Sequence, residues 1–179
     1  MMGAGYNFAE ATDPKEDASS GATLQPIGIE DIPERHPVRM FSNAYSGLAD
    51  GALLPHADAL LKHPDLDDVF GWATLIEPIA LSGTVDFKVV RQGARLAAHE
   101  GRTYRDQWMS DTVDPEFIRA TYTEVIAAAV LRRPLFSRGS VPHRARAFLY
   151  MLRGTFPVFA DNHARLRLFK IEAQPYVVL

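Results

Sequence analysis

The sequence contains no cysteine, and this absence excludes several kinds of site together. Without thiols the chain can form no disulfide bond, no thiolate zinc site, no cysteine nucleophile and no flavin–cysteine photoproduct. It also has no apolar run of about 18 residues, so we expect no membrane-spanning helix and no membrane contact. The N-terminus MMGAGYNFAEATDPKEDASS has neither the basic region nor the apolar region of a secretory signal. Together these absences predict a cytoplasmic protein.

Basic residues are scarce in the first half of the chain and acidic residues are fewer in the second. Residues 1–83 contain 4 Lys/Arg against 13 Asp/Glu, and residues 84–179 contain 15 against 9, so the net charges are −9 and +6. The arginines are scattered and match no nucleic-acid-binding pattern, so we expect solvated faces of both signs and no nucleic-acid partner. Residues 1–35 are polar, acidic and rich in Gly, Pro, Ser and Asp, which predicts a flexible N-terminal segment.

The patterns that usually hold metals, cofactors or phosphates are also missing. The six histidines form no HxxxH or HxH pair, and the longest helical pattern, residues 115–133, contains no His that could bind haem. We therefore expect no metal and no cofactor. Gly93 and Gly101 flank ARLAAHE, but their spacing matches no phosphate-binding loop. They predict instead a strand that turns into a short helix at Gly93, and a helix end with positive φ at Gly101.

Apolar periodicity after residue 71 predicts two strands, short helices, one long helix and three strands. TVDFKVVRQ alternates as a half-buried strand does, and Pro115 begins the long helix with Asp114 as its N-cap. The fold class is therefore α+β, in which one helical layer packs on one face of a five-stranded antiparallel sheet. Residues 36–70 predict a helical N-terminal extension, with a helix over Val38–Leu48.

Four stretches of this region resemble a bacterial family of small stand-alone PAS-like proteins. They are LLPHAD, DFKVVRQGARLAAHEG, TYTEVIAAAVLRRPLF and FPVFADNHARLRLFKI, and they include the family's two glycines, Gly93 and Gly101, and a proline in a late strand, Pro157. The resemblance spans Leu53 to Ile171, about two-thirds of the chain, and implies a PAS-like domain over residues 71–175. It also implies a non-catalytic sensor or protein-interaction module in bacterial signalling.

Two uses of the N-terminal helix follow from the resemblance. PAS domains commonly dimerise through a flanking N-terminal helix, so the helix around Val38–Leu48 is a candidate for a homodimer contact. The same helix can instead pack back on the sheet of its own domain. The sequence leaves both arrangements open.

A PAS-like fold can hold a small ligand between its sheet and its helices, and the same side chains can serve simply as core. The resemblance assigns the following residues to this space or to its rim, where the arginines would hold a carboxylate or phosphate: Phe87, Val89, Leu96, Trp108, Ile118, Tyr122, Tyr150, Arg91 and Arg153. Arg91 and Gln92 stand where the family is commonly apolar, which predicts a polar edge at the mouth of the fold.

An enzyme of the isomerase or hydratase type, on a related cone-like fold, is the alternative hypothesis. Such an enzyme needs a carboxylate or histidine that projects into a roomy pocket. The alternation in TVDFKVV predicts an apolar inward set and places Asp86 on the opposite side. Ser137 and His143 lie close in sequence, but there is no GxSxG motif and no acid beside them. We therefore predict no catalytic residue.

Overall fold

The computed structural model describes residues 24–51, 53–112, 115–143, 146–161 and 165–179, with the backbone alone over residues 115–117, 141–143 and 146–149. Most of the predicted N-terminal segment and the predicted N-cap Asp114 lie outside the described residues. The side chains of Phe117 and Phe148 also lie outside them.

Six antiparallel strands form one sheet. They are β1 (Leu24–Pro26), β2 (Ala73–Leu81), β3 (Thr84–Gln92), β4 (Leu135–His143), β5 (Arg146–Ala160) and β6 (Arg165–Ala173), and they lie in the order β1-β4-β5-β6-β2-β3. The α-helices are α1 (Pro37–Leu48), α2 (Ala57–Leu61), α3 (Ala94–Glu100), α4 (Met109–Thr112) and α5 (Pro115–Leu131). Short 3₁₀ helices cover Ile29–Asp31, Pro64–Leu66 and Val69–Trp72. The α+β class and the PAS-like order of elements from β2 to β6 are thus confirmed.

The sixth strand comes from residues that the sequence assigned to a flexible segment. Leu24–Pro26 pairs with β4, with Leu24 opposite Gly139, and the backbone N–H of Ile27 continues this pairing to the carbonyl of Phe136. Ile32, further along, is buried in the main core. The prediction was therefore wrong for residues 24–35, because three strand residues among prolines and glycines are too few to show a period.

Helices cover both faces of the sheet, where the sequence predicted one. Helix α1 packs on β5 and β6, and the ring of Phe41 lies 4.7 Å from that of Phe156 and 5.2 Å from that of Phe169. The hydroxyl of Tyr45 donates to the carbonyl of Pro157 at 2.7 Å. Of the two arrangements left open for this helix, the structure has the one in which its apolar face packs on its own sheet.

A close approach of backbone explains Gly93. Its N–H donates to the carbonyl of Ala73 at 2.8 Å, and a Cβ at this position would lie 2.1 Å from the carbonyl oxygen of Phe70. Only glycine fits there, whereas Gly101 ends α3 with φ of 71°. Both glycines therefore have the structural roles that the sequence predicted.

A β-bulge in β3 redirects its last side chains. Ile76 of β2 pairs with Val89 and the preceding Leu75 pairs with Arg91, so Val90 is an extra residue on β3. Before the bulge, Phe87 and Val89 point toward the α5 side of the sheet. After the bulge, Arg91 lies on the α1 side and Gln92 reaches the α5 side.

Candidate functional site

The candidate site lies between the sheet and α5, where strand β6 changes character along one face. Phe169 and Ile171 point toward α1 and are fully buried in the larger apolar core. Leu168 points toward α5, and the alternation of the strand places Lys170 and Glu172 on that same side. Because helices cover both faces of this part of β6, Lys170 is buried and the side chain of Glu172 is only 13% exposed.

Arg153 of β5 is the centre of this charged cluster, with 1% of its side chain exposed. Its Nε donates to Oε1 of Glu172 at 2.7 Å, and Nζ of Lys170 lies 3.2 Å from Oε2 of the same carboxylate. Burial alone would raise the pKa of Glu172, but the charges and hydrogen bonds of Lys170 and Arg153 outweigh it and hold that pKa at about 2. Glu172 is therefore ionised and paired.

Helix α5 contributes the second carboxylate of the cluster. Oε1 of Glu124 accepts a hydrogen bond from the hydroxyl of Thr155 at 2.7 Å, and Oε2 accepts one from the hydroxyl of Ser137. Nη2 of Arg153 lies 3.9 Å from Oε1 of Glu124. These contacts tie α5 to β4 and β5 through polar groups.

The third carboxylate, Glu100 at the end of α3, meets a neutral partner. Nε2 of Gln92 donates to Oε2 of Glu100 at 2.6 Å, and Oε1 of Gln92 accepts from the backbone N–H of Tyr104 at 2.6 Å. Burial raises the pKa of Glu100 to about 7, and the charge of Glu172 adds to this rise, while Lys170 and the hydrogen bond from Gln92 oppose it. A proton at Glu100 is therefore exchangeable near neutral pH.

One hydroxyl of this interior has no partner. Thr121 of α5 is fully buried, and its Oγ1 makes no hydrogen bond to any residue that the structure describes. Thr121 lies one turn before Glu124 on the side of α5 that faces the sheet. A buried hydroxyl without a partner is costly, so this atom is a place where a small polar molecule could bind.

A separate open groove lies at the tip of the β2–β3 hairpin, with a volume of about 380 Å³. The groove is lined by Leu81, Thr84, Val85, Asp86, Ser110, Ile118, Arg119 and Tyr122. Asp86 accepts hydrogen bonds from the hydroxyls of Tyr122 and, at 2.7 Å, Ser110. The prediction that Asp86 points away from the helices was therefore wrong, because it lies on an edge strand and its side chain bends around that edge to α4 and α5.

Hydrogen bonds determine the charge of this pair. Burial raises the pKa of Asp86, but the hydrogen bonds from Tyr122, Ser110 and backbone amides outweigh burial, so that pKa lies below its ordinary value. Burial and the hydrogen bond to Asp86 raise the pKa of Tyr122. Asp86 is consequently a carboxylate at neutral pH, with Tyr122 as its neutral donor.

The structure brings together only some of the residues assigned to the ligand site. Phe87, Val89 and Tyr122 pack in one apolar cluster beneath α5, and Tyr122 also lines the hairpin groove with Ile118. Leu96 is buried in α3. Whether these residues bind a ligand stays a prediction.

The other assigned residues lie apart from this group. Trp108 is half-buried and forms a bridge with Lys88. Tyr150 is 47% exposed, and the alternation of β5 places it on the side of Leu152, which packs in the α1-side core and not beneath α5. Arg91 lies over the ring of Phe70, 5.6 Å from its centroid, on the α1 side. Arg153 is buried, so the predicted pair of arginines at one rim was wrong.

Three of the six histidines cap helices. The Nδ1 atoms of His36, His56 and His63 each accept a hydrogen bond from the backbone N–H two residues later, at 3.2 to 3.3 Å. His36 is fully buried, and its Nε2 lies 3.2 Å from the carbonyl of Gln174, to which it donates. Burial lowers the pKa of His36, against the opposing effect of that carbonyl. His99 packs beside Trp72.

Sequence reasoning missed the carboxylates and the lysine of the charged cluster. In RLRLFKIEA the alternation places Leu168, Lys170 and Glu172 on one side of the strand. An apolar residue followed by two charged residues is typical of a strand that leaves the core and ends in solvent. The available signal was that Phe169 and Ile171 make the other side of the same stretch apolar. Only the central position of β6 in the sheet shows that both sides are buried.

No group of three or more His, Cys, Asp or Glu suited to a metal ion occurs among the described residues. Within the same residues, no helix is both long and apolar enough to cross a membrane.

Comparisons with known proteins add little beyond this description. No protein-family model matches the chain, and no curated protein matches it. Among solved structures, the PAS domain of a protein from Colwellia psychrerythraea aligns with a TM-score of 0.45 and 11% identity, over 60% of this chain and 91% of that one. An RNA-binding light-oxygen-voltage receptor aligns with a TM-score of 0.47 and 13% identity, over 87% of this chain and 39% of that one. The PAS-like description rests on the order and pairing of this chain's own elements.

Proposed function

We propose that the chain is a non-catalytic sensor or protein-interaction module of bacterial signalling, which works in the cytoplasm and binds a small polar ligand between its sheet and α5. The observation that carries the proposal is the charged cluster around Arg153, together with the unpartnered hydroxyl of Thr121, which lies one helical turn before Glu124 of that cluster. Stability does not require such a cluster, since well-packed apolar residues of similar volume usually stabilise a core equally well or better. Buried groups with shifted pKa values are candidates for function instead.

The contacts of the cluster favour sensing over catalysis. Glu124 accepts from two hydroxyls and Glu172 contacts a guanidinium and an ammonium group, so both carboxylates are already engaged. A molecule that enters must replace some of these contacts, and those of Glu124 join α5 to β4 and β5. Binding of such a molecule would therefore change the contacts between α5 and the sheet. A change of this kind is what a signalling module transmits to a partner.

Native mass spectrometry of the purified full chain tests the ligand. We expect a non-covalent adduct of small mass on the wild type, and its loss in Thr121→Val, which keeps the shape of the side chain and removes the hydroxyl. Thr123→Val is the matched control, because Thr123 lies on the exposed side of the same helix and donates to the carbonyl of Arg119. A wild type that carries no adduct in repeated preparations, or an adduct that survives Thr121→Val unchanged, would contradict the proposed site.

A homodimer through α1 stays part of the proposal, with the outer side of that helix as the contact. Its apolar side packs on the sheet, and Leu48 is the apolar residue of α1 that is most exposed. Light scattering should give twice the chain mass for the wild type and the single chain mass for Leu48→Glu. A single chain mass for both proteins would remove the dimer from the proposal.

The hairpin groove supports one second candidate, a small isomerase or hydratase. Asp86 is a carboxylate that projects into an open groove beside Tyr122, the feature that such an enzyme needs. Its lowered pKa makes it a weak base, and the raised pKa of Tyr122 makes it a weak acid, so we rank this candidate second. Proton exchange from carbon α to a carbonyl, followed by NMR with a panel of small ketones, should be absent in Asp86→Asn if Asp86 is the base. Equal exchange with and without the protein would exclude the activity.

A further inference from the structure

Apolar side chains are exposed on the outer side of α5. Ile126 and Val130 are 42% and 74% exposed, and their spacing of four residues puts them on one side of the helix. Leu131, the last residue of the helix, is exposed as well. Exposed apolar surface rimmed by polar groups is typical of a contact site. The buried Thr121 belongs to the inner side of α5, so this surface is separate from the proposed ligand site.

The hairpin groove continues this surface toward the start of α5. The helix contributes Ile118 and Arg119 to the groove, and the hairpin contributes the exposed side chains of Leu81 and Val85. Arg119 is exposed and precedes Ile126 by seven residues, about two turns, so both lie on the same side of the helix. The groove and the outer side of α5 therefore form one elongated surface, which we call the outer α5 face.

The exposed charged side chains of residues 118–133 are all positive. They are Arg119, Arg132 and Arg133, and none of the three forms an ion pair with a residue that the structure describes. By contrast, Arg95 and Arg165 on other parts of the surface contact carboxylates. Two copies of α5 packed against each other, parallel or antiparallel, would bring arginine against arginine. An acidic occupant therefore fits the outer α5 face better than a second copy of the chain does.

The segment that precedes β1 has the complementary composition. Residues 1–23 lie outside the described residues apart from their sequence, in which four acidic residues against one lysine give a net charge of −3: Glu10, Asp13, Glu16, Asp17 and Lys15. The aromatic residues Tyr6 and Phe8 come before these acids. Asp86 on the groove wall disfavours an acidic residue inside the groove, so a segment with its aromatic residues first matches the outer α5 face in one direction.

The chain is long enough to bring the acids to the arginines that follow α5. Leu24, the first residue of β1, lies opposite Gly139, and Gly139 follows Arg133 by only six residues. The seven residues from Asp17 to Leu24 reach at most about 25 Å when extended. Asp17 can therefore reach Arg133 without any change in β1.

The spacing of the acids also matches the length of the face. Glu10 lies seven residues before Asp17, a distance of at most about 25 Å, and Arg119 lies about 18 Å before the end of α5 along the helix axis. A segment that places Asp17 at Arg133 can therefore place Glu10 at Arg119. Phe8, two residues further on, then lies at the apolar hairpin groove.

We propose that residues 6–17 of this chain bind along its own outer α5 face, with Phe8 in the hairpin groove and the acids on the arginines. The aromatic residues supply apolar contact, and the ion pairs set the direction of the segment. Because the segment is tethered at β1, its binding is intramolecular, and weak contacts suffice for it to occupy the face. The inference goes beyond the proposed function, and the ligand test at Thr121 neither supports nor excludes it.

Paramagnetic NMR of the full chain tests this contact, since the absence of cysteine lets one spin label be attached at a chosen position. With a nitroxide on Ala11→Cys, the amide signals of Ile126 and Val130 should lose intensity. The amide signals of α1, on the other side of the sheet, should keep theirs. High salt should weaken the loss, because it screens the ion pairs. An unchanged intensity at Ile126 and Val130 would overturn the proposal and would mean that the face is open to a partner protein.

Charge reversal shows whether the arginines hold the segment. Three labelled variants are compared: Arg132→Glu with Arg133→Glu, the same chain with Glu16→Lys and Asp17→Lys added, and Arg95→Glu with Arg105→Glu as the matched control elsewhere on the surface. Reversal of the two arginines should abolish the loss of intensity, and the added lysines should restore it. The control should keep it. A loss that survives the reversal, or that the added lysines do not restore, would contradict the proposal.

A mixed sample separates a contact within one chain from a contact between copies. One full-length chain carries the spin label but is invisible in the spectrum, and the other is isotope-labelled and carries no spin label. We expect no loss of intensity at α5 in this mixture. A loss equal to that of the singly labelled chain would mean that the segment binds a second copy, and the proposed contact within the chain would be wrong.

Discussion

Strand β6 presents aromatic and aliphatic side chains to α1 and charged side chains to α5, although helices cover both of its faces. On the α1 face, Phe41 packs against Phe156 and Phe169 with no charged group among them. On the α5 face, Arg153 is as deeply buried as these rings, and it donates a hydrogen bond to Glu172, which is largely buried. One face is held mainly by burial of apolar area, and the other depends in addition on the pairing of its charged groups.

The difference indicates which face can change when a proton or a polar molecule binds. Apolar packing is tight and non-directional, and the aromatic contacts that hold α1 on the sheet do not themselves titrate. A polar network changes when one proton or one hydrogen-bonding molecule is added, because every member is paired with another. The α5 face is therefore the part of the molecule where a small input can produce a structural change. Four experiments test this contrast, from the largest expected effect to the smallest.

Phe41→Ala tests the apolar face. Removing a fully buried ring that contacts three other rings should lower the free energy of unfolding by about 3–5 kcal/mol, measured by urea denaturation. Met40→Ala, on the half-buried side of the same helix, is the control and should cost clearly less. A loss for Phe41→Ala that is no larger than that of Met40→Ala would show that α1 does not hold this face in solution.

Arg153→Met tests the charged face by removing one partner and keeping the volume. Glu124 and Glu172 then lose their guanidinium, and we expect a loss of about 3 kcal/mol, since unpairing a buried charge is costly. Lys170 still contacts Glu172 and limits the loss. Adding Glu124→Gln should restore part of the stability, a recovery that has no counterpart on the apolar face. An Arg153→Met protein as stable as the wild type would mean that this face does not depend on pairing.

Much of the fold could be predicted from the sequence, because the patterns that define its strands and helix ends lie within short stretches of the chain. The alternation in TVDFKVVRQ gave β3 its observed bounds, and Gly101 gave the end of α3. The bulge at Val90 has no such signal, because it depends on the pairing of β3 with β2. The sequence therefore could not show that Arg91 lies on the α1 side or that Gln92 is the partner of Glu100.

The candidate site was harder to predict, because it depends on which strands are central. The resemblance assigned Tyr150 to the ligand space, because the sequence could not show that its side of β5, which it shares with Leu152, faces α1. Likewise, Lys170 and Glu172 read as solvent-facing until β6 is placed between β5 and β2. Which residues share one side of a strand can be predicted from a short stretch of sequence. Which elements pack on that side depends on the order of all the strands in the sheet.

His36 makes the apolar face sensitive to acid in the opposite sense to Glu100. Its pKa in the folded chain is lowered from 6.5 by burial, so the folded chain binds less proton than the unfolded chain. The contribution of His36 to stability is complete above pH 6.5 and is lost as the pH falls through its lowered pKa. The loss cannot exceed about 1.4 kcal/mol per pH unit for one proton.

Urea denaturation from pH 7.5 down to pH 5 measures this loss, and His36→Asn should reduce it, since asparagine caps the helix without titrating. His63→Asn is the control, because His63 caps a 3₁₀ helix and is less buried. If the slope between pH 7.5 and pH 5 is the same in His36→Asn as in the wild type, the acid loss belongs to other groups and the two faces do not differ in this respect.

Thr121→Val should cause the smallest change in the free energy of unfolding. The sign of that change shows whether a molecule is bound between the sheet and α5. In a ligand-free protein the variant should be more stable by about 1 kcal/mol, because it removes a buried hydroxyl that no described residue satisfies. Valine and threonine are both β-branched, so the helix itself is hardly affected. Thr123→Val, at an exposed position, should change stability by less than about 0.5 kcal/mol. If Thr121→Val is instead less stable than the wild type, the hydroxyl is bonded to a bound molecule in solution, and the α5 face owes part of its stability to that molecule rather than to pairing alone.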